Sequence, residues 1–134
     1  MTTTEDGWTV GVYIAALALF VTHSIDSTRF AEWHLFRMSA EAYVFAYLPL
    51  MVVFLYGLVA LSRRFRAGYE LALLLGLVDV SAILVHGSQI LSGEAFTAPL
   101  SLALIGGMVL AGLTLVASAG RVLLGARKPV VFTS

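Results

Sequence analysis

The sequence predicts an all-α integral membrane protein, a four-helix bundle with a short interfacial helix between its first two spans. Of its 134 residues, 60% are hydrophobic and 12% are charged, whereas soluble domains average about 45–50% apolar and about 25% charged residues. Four apolar segments each approach the roughly 20 residues that a helix needs to cross a bilayer core. Helices are expected because backbone groups in lipid must form hydrogen bonds within their own segment.

The predicted elements follow one another along a single membrane domain, residues 1–134. The spans cover approximately residues 8–23, 42–61, 69–90 and 99–124, and a mobile tail over 125–134 follows them. Between the first two spans, Phe30, Trp33 and Phe36 recur at helical spacing. Aromatic side chains favour the headgroup level of a membrane, so this segment is predicted to be the interfacial helix.

The basic residues predict how the chain is oriented. Two of them, Arg29 and Arg37, fall on one side of the predicted membrane, and six fall on the side of the N-terminus: Arg63, Arg64, Arg66, Arg121, Arg127 and Lys128. Because loops rich in Lys and Arg stay inside, both termini are expected in the cytoplasm, with the chain in the cell membrane.

Composition also limits the partners and the chemistry. The formal net charge of zero argues against a nucleic-acid partner. The absence of cysteine excludes thiolate nucleophiles and iron–sulfur clusters. Ala103, Gly107 and Ala111 place small residues at four-residue spacing, a pattern that lets helices approach closely in lipid. This face suits either the internal bundle or a homo-oligomer.

The informative polar residues gather at the predicted outer ends of spans one and three. His23, Asp26 and Glu32 follow span one, and His86 lies near the same depth in span three because the two spans run in the same direction. Ionisable residues at membrane depth are costly and point to function. These four are predicted to form one catalytic or metal-binding cluster. The secondary candidates are Glu41, Asp79, Gln89 and Trp33.

Each candidate also has a purely structural interpretation. His23 and Asp26 would form a hydrogen-bonded pair that pins the outer loop. Glu32 would be solvated or would neutralise Arg29. Trp33 would be an interfacial anchor. The buried partner of Asp79 would be Ser81, Thr114 or a tyrosine, and the tyrosines are otherwise predicted to be packing residues: Tyr13, Tyr43, Tyr47, Tyr56 and Tyr69.

The string Thr22-His23-x-Ile25-Asp26, followed by Glu32-Trp33-x-x-Phe36, resembles the signature of a family of small prokaryotic four-span membrane proteins of unknown function. The resemblance implies that His23, Asp26, Glu32 and Trp33 are signature positions. The family pattern continues with a Pro-Gly-Gly turn and a Gln, whereas this chain has Met38-Ser39-Ala40-Glu41. Glu41 therefore stands in place of the Gln, and the turn must be made differently.

Four kinds of function remain open from the sequence. The first is a site for zinc, iron or manganese, or for acid–base chemistry on a lipid-like substrate. The second is a b-type haem with His23 and His86 as axial ligands. The third is a proton-coupled transporter that uses a path from Asp79 to His86. The fourth is a non-catalytic accessory or assembly protein.

Overall fold

Four long helices make up nearly all of the described chain. A computed structural model describes residues 3–34, 36–93 and 96–125. The helices are α1 (Thr3–Arg29), α2 (Ala40–Ser62), α3 (Arg66–Ser92) and α4 (Pro99–Gly125). Each contains a stretch long and apolar enough to cross a membrane. The all-α membrane class is therefore confirmed, while the predicted tail beyond Gly125 lies outside the described residues.

Helix α1 continues six residues past the predicted end of its span, from His23 to Arg29. The segment that follows contains a single 3-10 turn, Glu32–His34, and the described residues show no longer interfacial helix there. Ala31 and Arg37 flank this turn with positive φ angles of 50° and 52°. Such left-handed backbone reverses the chain direction, which returns the segment toward the helices.

Capping residues determine where α2 begins and where α3 ends. Ser39 caps α2 by accepting a hydrogen bond from the backbone N–H of Ala42. Helix α3 ends at Gly93, which has the left-handed conformation (φ 75°) that favours glycine. The turn before α2 is thus made with the Ser39 cap and the left-handed Arg37.

Two glycines bring α3 and α4 into close contact. A Cβ on Gly112 would lie 2.6 Å from the carbonyl oxygen of Gly76, a separation that no real side chain tolerates. Farther along α4, a Cβ on Gly107 would meet the side chain of Leu19 on α1. Gly107 therefore packs within the chain, while Ala103 of the same small-residue face is exposed. A homo-oligomer through this face stays a prediction.

Large apolar side chains cover the outside of the helices. Leu84 is 81% exposed, Leu91 is 90% exposed and Leu110 is 70% exposed. Water would penalise each of these side chains, whereas lipid chains would solvate them. The exposed surface therefore indicates contact with a lipid bilayer.

Candidate metal site

Three of the four predicted site residues meet at one point. The Nε2 atoms of His23 and His86 lie 3.1 Å apart, and the Nε2 atom of His86 lies 3.2 Å from Oε1 of Glu32. One ligand atom from each residue falls within 4.8 Å of the other two. All three residues are buried. The cluster thus places two imidazole nitrogens and one carboxylate oxygen around a common centre, shielded from solvent.

Each ligand arrives on a different element. His23 belongs to α1 and His86 to α3, so the packing of these helices sets the distance between the rings. Glu32 occupies the first position of the 3-10 turn, and the left-handed Ala31 before it redirects the chain. This reversal lets the Glu32 carboxylate reach inward, where only 4% of the residue is exposed.

Further hydrogen bonds hold the three ligands in place. The Tyr43 hydroxyl donates to Oε2 of Glu32 over 2.8 Å. Because its proton is used there, the Tyr47 hydroxyl, 3.0 Å away, must donate to Tyr43. On the far side of the cluster, Nδ1 of His86 lies 3.4 Å from Oε1 of Gln89. Metal-binding histidines and carboxylates in proteins characteristically have such outer partners.

The Glu32 carboxylate is held in its ionised form. Burial alone would raise its pKa, but hydrogen bonds from His86, Ser27 and Tyr43 outweigh this and hold the pKa below its usual value. An ionised carboxylate is the form that ligates a metal. The other Glu32 oxygen, Oε1, lies 3.2 Å from Nε2 of His86.

Aromatic packing closes the cluster. The Phe96 ring lies against His86, with centroids 4.3 Å apart, and its centroid is 5.7 Å from that of His23. Phe96 is only 1% exposed. The side chain excludes water from one side of the histidines, which strengthens electrostatic interactions at the site.

The contacts of Asp26 lie outside the group of His23, Glu32 and His86. Its carboxylate accepts a 2.5 Å hydrogen bond from the Ser101 hydroxyl of α4 and lies 3.4 Å from Arg29. Among the described residues, the three-residue group that fits a metal does not include Asp26. The reason is helical geometry, since a residue three positions after His23 is rotated by about 60° around α1. That rotation points Asp26 toward α4.

The secondary candidates are dispersed. Gln89 joins the site through His86. Trp33 is half-buried, with its ring centroid 6.3 Å from that of Tyr43. Glu41 is exposed in the first turn of α2, outside the cluster. Asp79 is fully buried in α3, and neither of its carboxylate oxygens has a hydrogen-bond partner within the described part of the chain.

Several structural interpretations from the sequence are wrong. The Ser81 hydroxyl donates to the carbonyl of Val78 and that of Thr114 to Leu110, so neither pairs with Asp79. Glu32 is not solvated and does not pair with Arg29. Tyr43 is a hydrogen-bond donor to the cluster, as well as a packing residue. The sequence also missed Ser27, Phe96 and Ser101, because hydroxyl and aromatic residues in or beside apolar helices give no distinctive pattern.

A cavity of about 350 Å³ adjoins the cluster. His23, Glu32 and His86 contribute to its wall, and the other lining residues are mostly apolar: Phe20, Phe36, Met38, Tyr43, Ala46, Tyr47, Leu50, Val78, Ser81, Ala82, Val85 and Met108. The volume is in the range of small-molecule pockets in proteins. The site therefore has space next to it for a ligand.

The separations of the donor atoms match those around a metal ion. Bonds of about 2.0–2.1 Å at tetrahedral angles place adjacent ligand atoms about 3.3 Å apart. The distances of 3.1 Å and 3.2 Å found here are close to that value. The same closeness disfavours the haem hypothesis, because a porphyrin plane does not fit between two Nε2 atoms 3.1 Å apart.

The apolar helices and the buried donor cluster together define the class: a multi-pass membrane protein with two histidines and a glutamate close enough to hold a metal ion. A profile of the family of unknown function DUF6713 matches residues 9–121, and the chain belongs to that family. This confirms the predicted membership in a family of unknown function, while the roles of the signature positions stay a prediction. No curated protein and no solved structure matches the chain significantly.

Proposed function

We propose that this chain is a membrane protein that binds one divalent transition metal ion through Nε2 of His23, Oε1 of Glu32 and Nε2 of His86. The observation that carries the proposal is the spacing of these donors, 3.1 Å and 3.2 Å across three separate elements. Two imidazoles and one carboxylate suit zinc, iron and manganese. Three protein ligands leave a coordination position open, as in catalytic metal sites.

The proposed chemistry takes place at the cavity beside the cluster. The metal would act as a Lewis acid that polarises an oxygen of a bound molecule. Tyr43 fixes the Glu32 carboxylate, and Gln89 orients the His86 ring. The apolar lining of the cavity favours a lipid-like substrate over a polar one.

Elemental analysis of the purified protein tests the metal site. The wild-type chain, purified in mild detergent, is expected to retain close to one zinc, iron or manganese per chain. The variants His23→Ala, His86→Ala and Glu32→Gln should each lose it. His34→Ala is the matched control, because His34 is exposed and lies outside the cluster. A folded wild-type protein without metal after loading with each ion would refute the proposal.

A second candidate function, acid–base chemistry without a metal, has a specific observation in its favour. Hydrogen bonds connect Tyr47, Tyr43, Glu32, His86 and His23 in one chain. Such a chain can pass a proton between a base and an acid. Metal-free protein that retains activity toward a lipid-like substrate, and loses it in Glu32→Gln, would favour this function. A folded wild-type protein with neither bound metal nor activity would favour an accessory role.

We also propose that the chain is a single domain that lies in the cell membrane with both termini in the cytoplasm, which places the cluster at the outer side. The six basic residues on the side of the termini support this orientation. The segment that contains Trp33 and Phe36 would lie at the outer interface. Fusion of a periplasm-dependent reporter enzyme to the C-terminus should give an inactive reporter. An active reporter would reverse the orientation.

A further inference from the structure

The cavity has one polar end and one apolar end. His23, Glu32 and His86 line the polar end, near the outer termini of their elements. Leu50, Val78 and Met108 line the deep end. Along α3, the eight positions from Val78 to His86 correspond to about 12 Å of helix. The cavity is therefore elongated along the helices, with its ionisable groups gathered at one end.

Helices α2 and α3 contribute most of the residues that line the cavity. Near their short connection they touch, since a Cβ on Gly57 would lie 2.9 Å from the Cβ of Leu71. Toward their other ends, Ala46 of α2 and Val85 of α3 both line the cavity and are both exposed. The wall of the cavity thus includes surface residues of both helices.

The exposed side chains of this wall are apolar. Val85 is 39% exposed and Phe36, which also lines the cavity, is 48% exposed. Leu84, next to Val85, is 81% exposed and lies on the surface that the bilayer would contact. The exposed side chains of Phe36, Ala46 and Val85 offer no hydrogen-bonding group to a water-soluble molecule, whereas a hydrocarbon chain could pass beside them from lipid into the cavity without crossing water.

The net charge of the metal-loaded site favours a ligand with an anionic head group. With a divalent ion bound, the ionised Glu32 leaves one positive charge uncompensated if both histidines are neutral. A buried charge is costly unless it is paired, so an anionic oxygen at the open coordination position stabilises the loaded site. Without the metal, Glu32 would repel the same anion.

We propose that the cavity binds a single-chain lipid with a carboxylate head, a fatty-acid-type anion. The chain enters sideways between Ala46 and Val85, and the carboxylate meets the metal held by His23, Glu32 and His86. This inference rests on the proposed metal site. It adds the class of ligand, the route of access and the requirement that metal binds before the lipid.

Binding of radiolabelled decanoic acid tests the proposal. The wild-type protein is reconstituted in phosphatidylcholine nanodiscs, loaded with the metal found on purification, and compared with empty nanodiscs. Saturable binding of one decanoate per chain is expected, and a chelator should abolish it. Acetic acid, which has the same head and no chain, should bind at least about tenfold more weakly, since it leaves the cavity unfilled.

Two substitutions narrow the cavity and leave the three proposed metal ligands unchanged. Ala46→Phe adds a ring at the opening, and Ala82→Phe adds one deeper in the cavity. Each should weaken decanoate binding about tenfold by overfilling the space, with the metal content unchanged. Ala15→Phe adds the same ring at an exposed position of α1 outside the cavity and should bind decanoate as the wild type does.

The outcomes separate the two proposals. Protein that binds metal but not decanoate would overturn the lipid inference alone. Equal binding of acetate and decanoate, or wild-type binding by Ala46→Phe, would also overturn it, because the cavity would then contribute nothing. Protein that binds no metal would overturn the proposed metal site and this inference with it.

Discussion

The Nε2 atoms of His23 and His86 lie 3.1 Å apart, although 63 positions separate the two residues in the chain. A hydrogen bond at this distance needs a proton on one of the two nitrogens, and the tautomers of the rings decide which of them donates. Glu32 lies 3.2 Å from the same His86 nitrogen. A metal ion at the centre of the three donors would replace this hydrogen-bonded contact.

Metal binding should strengthen as the pH is raised. A histidine that ligates through Nε2 keeps one N–H on Nδ1, so a neutral ring releases no net proton, whereas a cationic ring must lose one. The apparent affinity should therefore rise with pH until both ligand histidines are neutral and then level off. Titration calorimetry in two buffers with different ionisation enthalpies should show proton release that falls toward zero as the pH is raised, and an affinity independent of pH would contradict ligation by the two histidines.

Tyr43→Phe should weaken metal binding without removing a ligand. The change deletes the hydroxyl that donates to Oε2 of Glu32 and leaves the ring in place. Loss of an outer partner of this kind costs about 10–100-fold in metal affinity. Competition with a chelator of known affinity gives the value. Tyr56→Phe is the matched control, because Tyr56 is exposed on the same helix, and an equal loss there would point to a general effect of the substitution.

The two buried aspartates should respond to substitution with opposite signs. Asp26 accepts a hydrogen bond from Ser101, whereas both oxygens of Asp79 lack a partner within the described chain. Asp26→Ala removes a bonded group and should lower the free energy of unfolding by about 1–3 kcal/mol. Asp79→Ala removes an unsatisfied group and should raise it by about 1 kcal/mol.

Unfolding by a graded denaturing detergent measures both aspartate variants. Metal content should stay unchanged in Asp79→Ala, because Asp79 is not one of the three ligands. A large loss of stability in Asp79→Ala would show that the carboxyl group has a partner. That result would favour the transporter hypothesis, with its proton path from Asp79 to His86.

Gly112→Ala should destabilise the protein by about 1–3 kcal/mol, the usual cost of overfilling a packed interface. Its Cβ would lie 2.6 Å from the Gly76 carbonyl oxygen, so α3 and α4 would have to separate. Gly106→Ala, on the same helix, is the control, because no atom lies within 4 Å of the added Cβ. It should be neutral or slightly stabilising in the same unfolding assay. Equal effects of the two substitutions would contradict the close packing of α3 on α4.

The site could be predicted in part from the sequence, and the reason lies in which residues are unusual in their setting. His23, Glu32 and His86 are conspicuous because ionisable side chains are costly in apolar segments. Tyr43 and Phe96 are not conspicuous, since aromatic residues are common in membrane helices. Asp26 was placed in the cluster because spacing along a helix gives an approximate face, and a rotation of about 60° is enough to direct a short side chain to another neighbour.

By itself, the amino-acid sequence determined that the chain is helical and contacts lipid, because hydropathy and segment length act locally and leave few alternatives in a bilayer. It also determined which ionisable groups are present near the ends of α1 and α3. Only the tertiary structure decided which of these groups meet. The rotation and approach of α1 and α3 set the 3.1 Å contact of His23 with His86, which Glu32 joins by turning inward. The approach of α1 and α4 sets the separate pairing of Asp26 with Ser101. That packing follows from contacts between distant residues such as Gly76 and Gly112, and no local pattern in the chain encodes it.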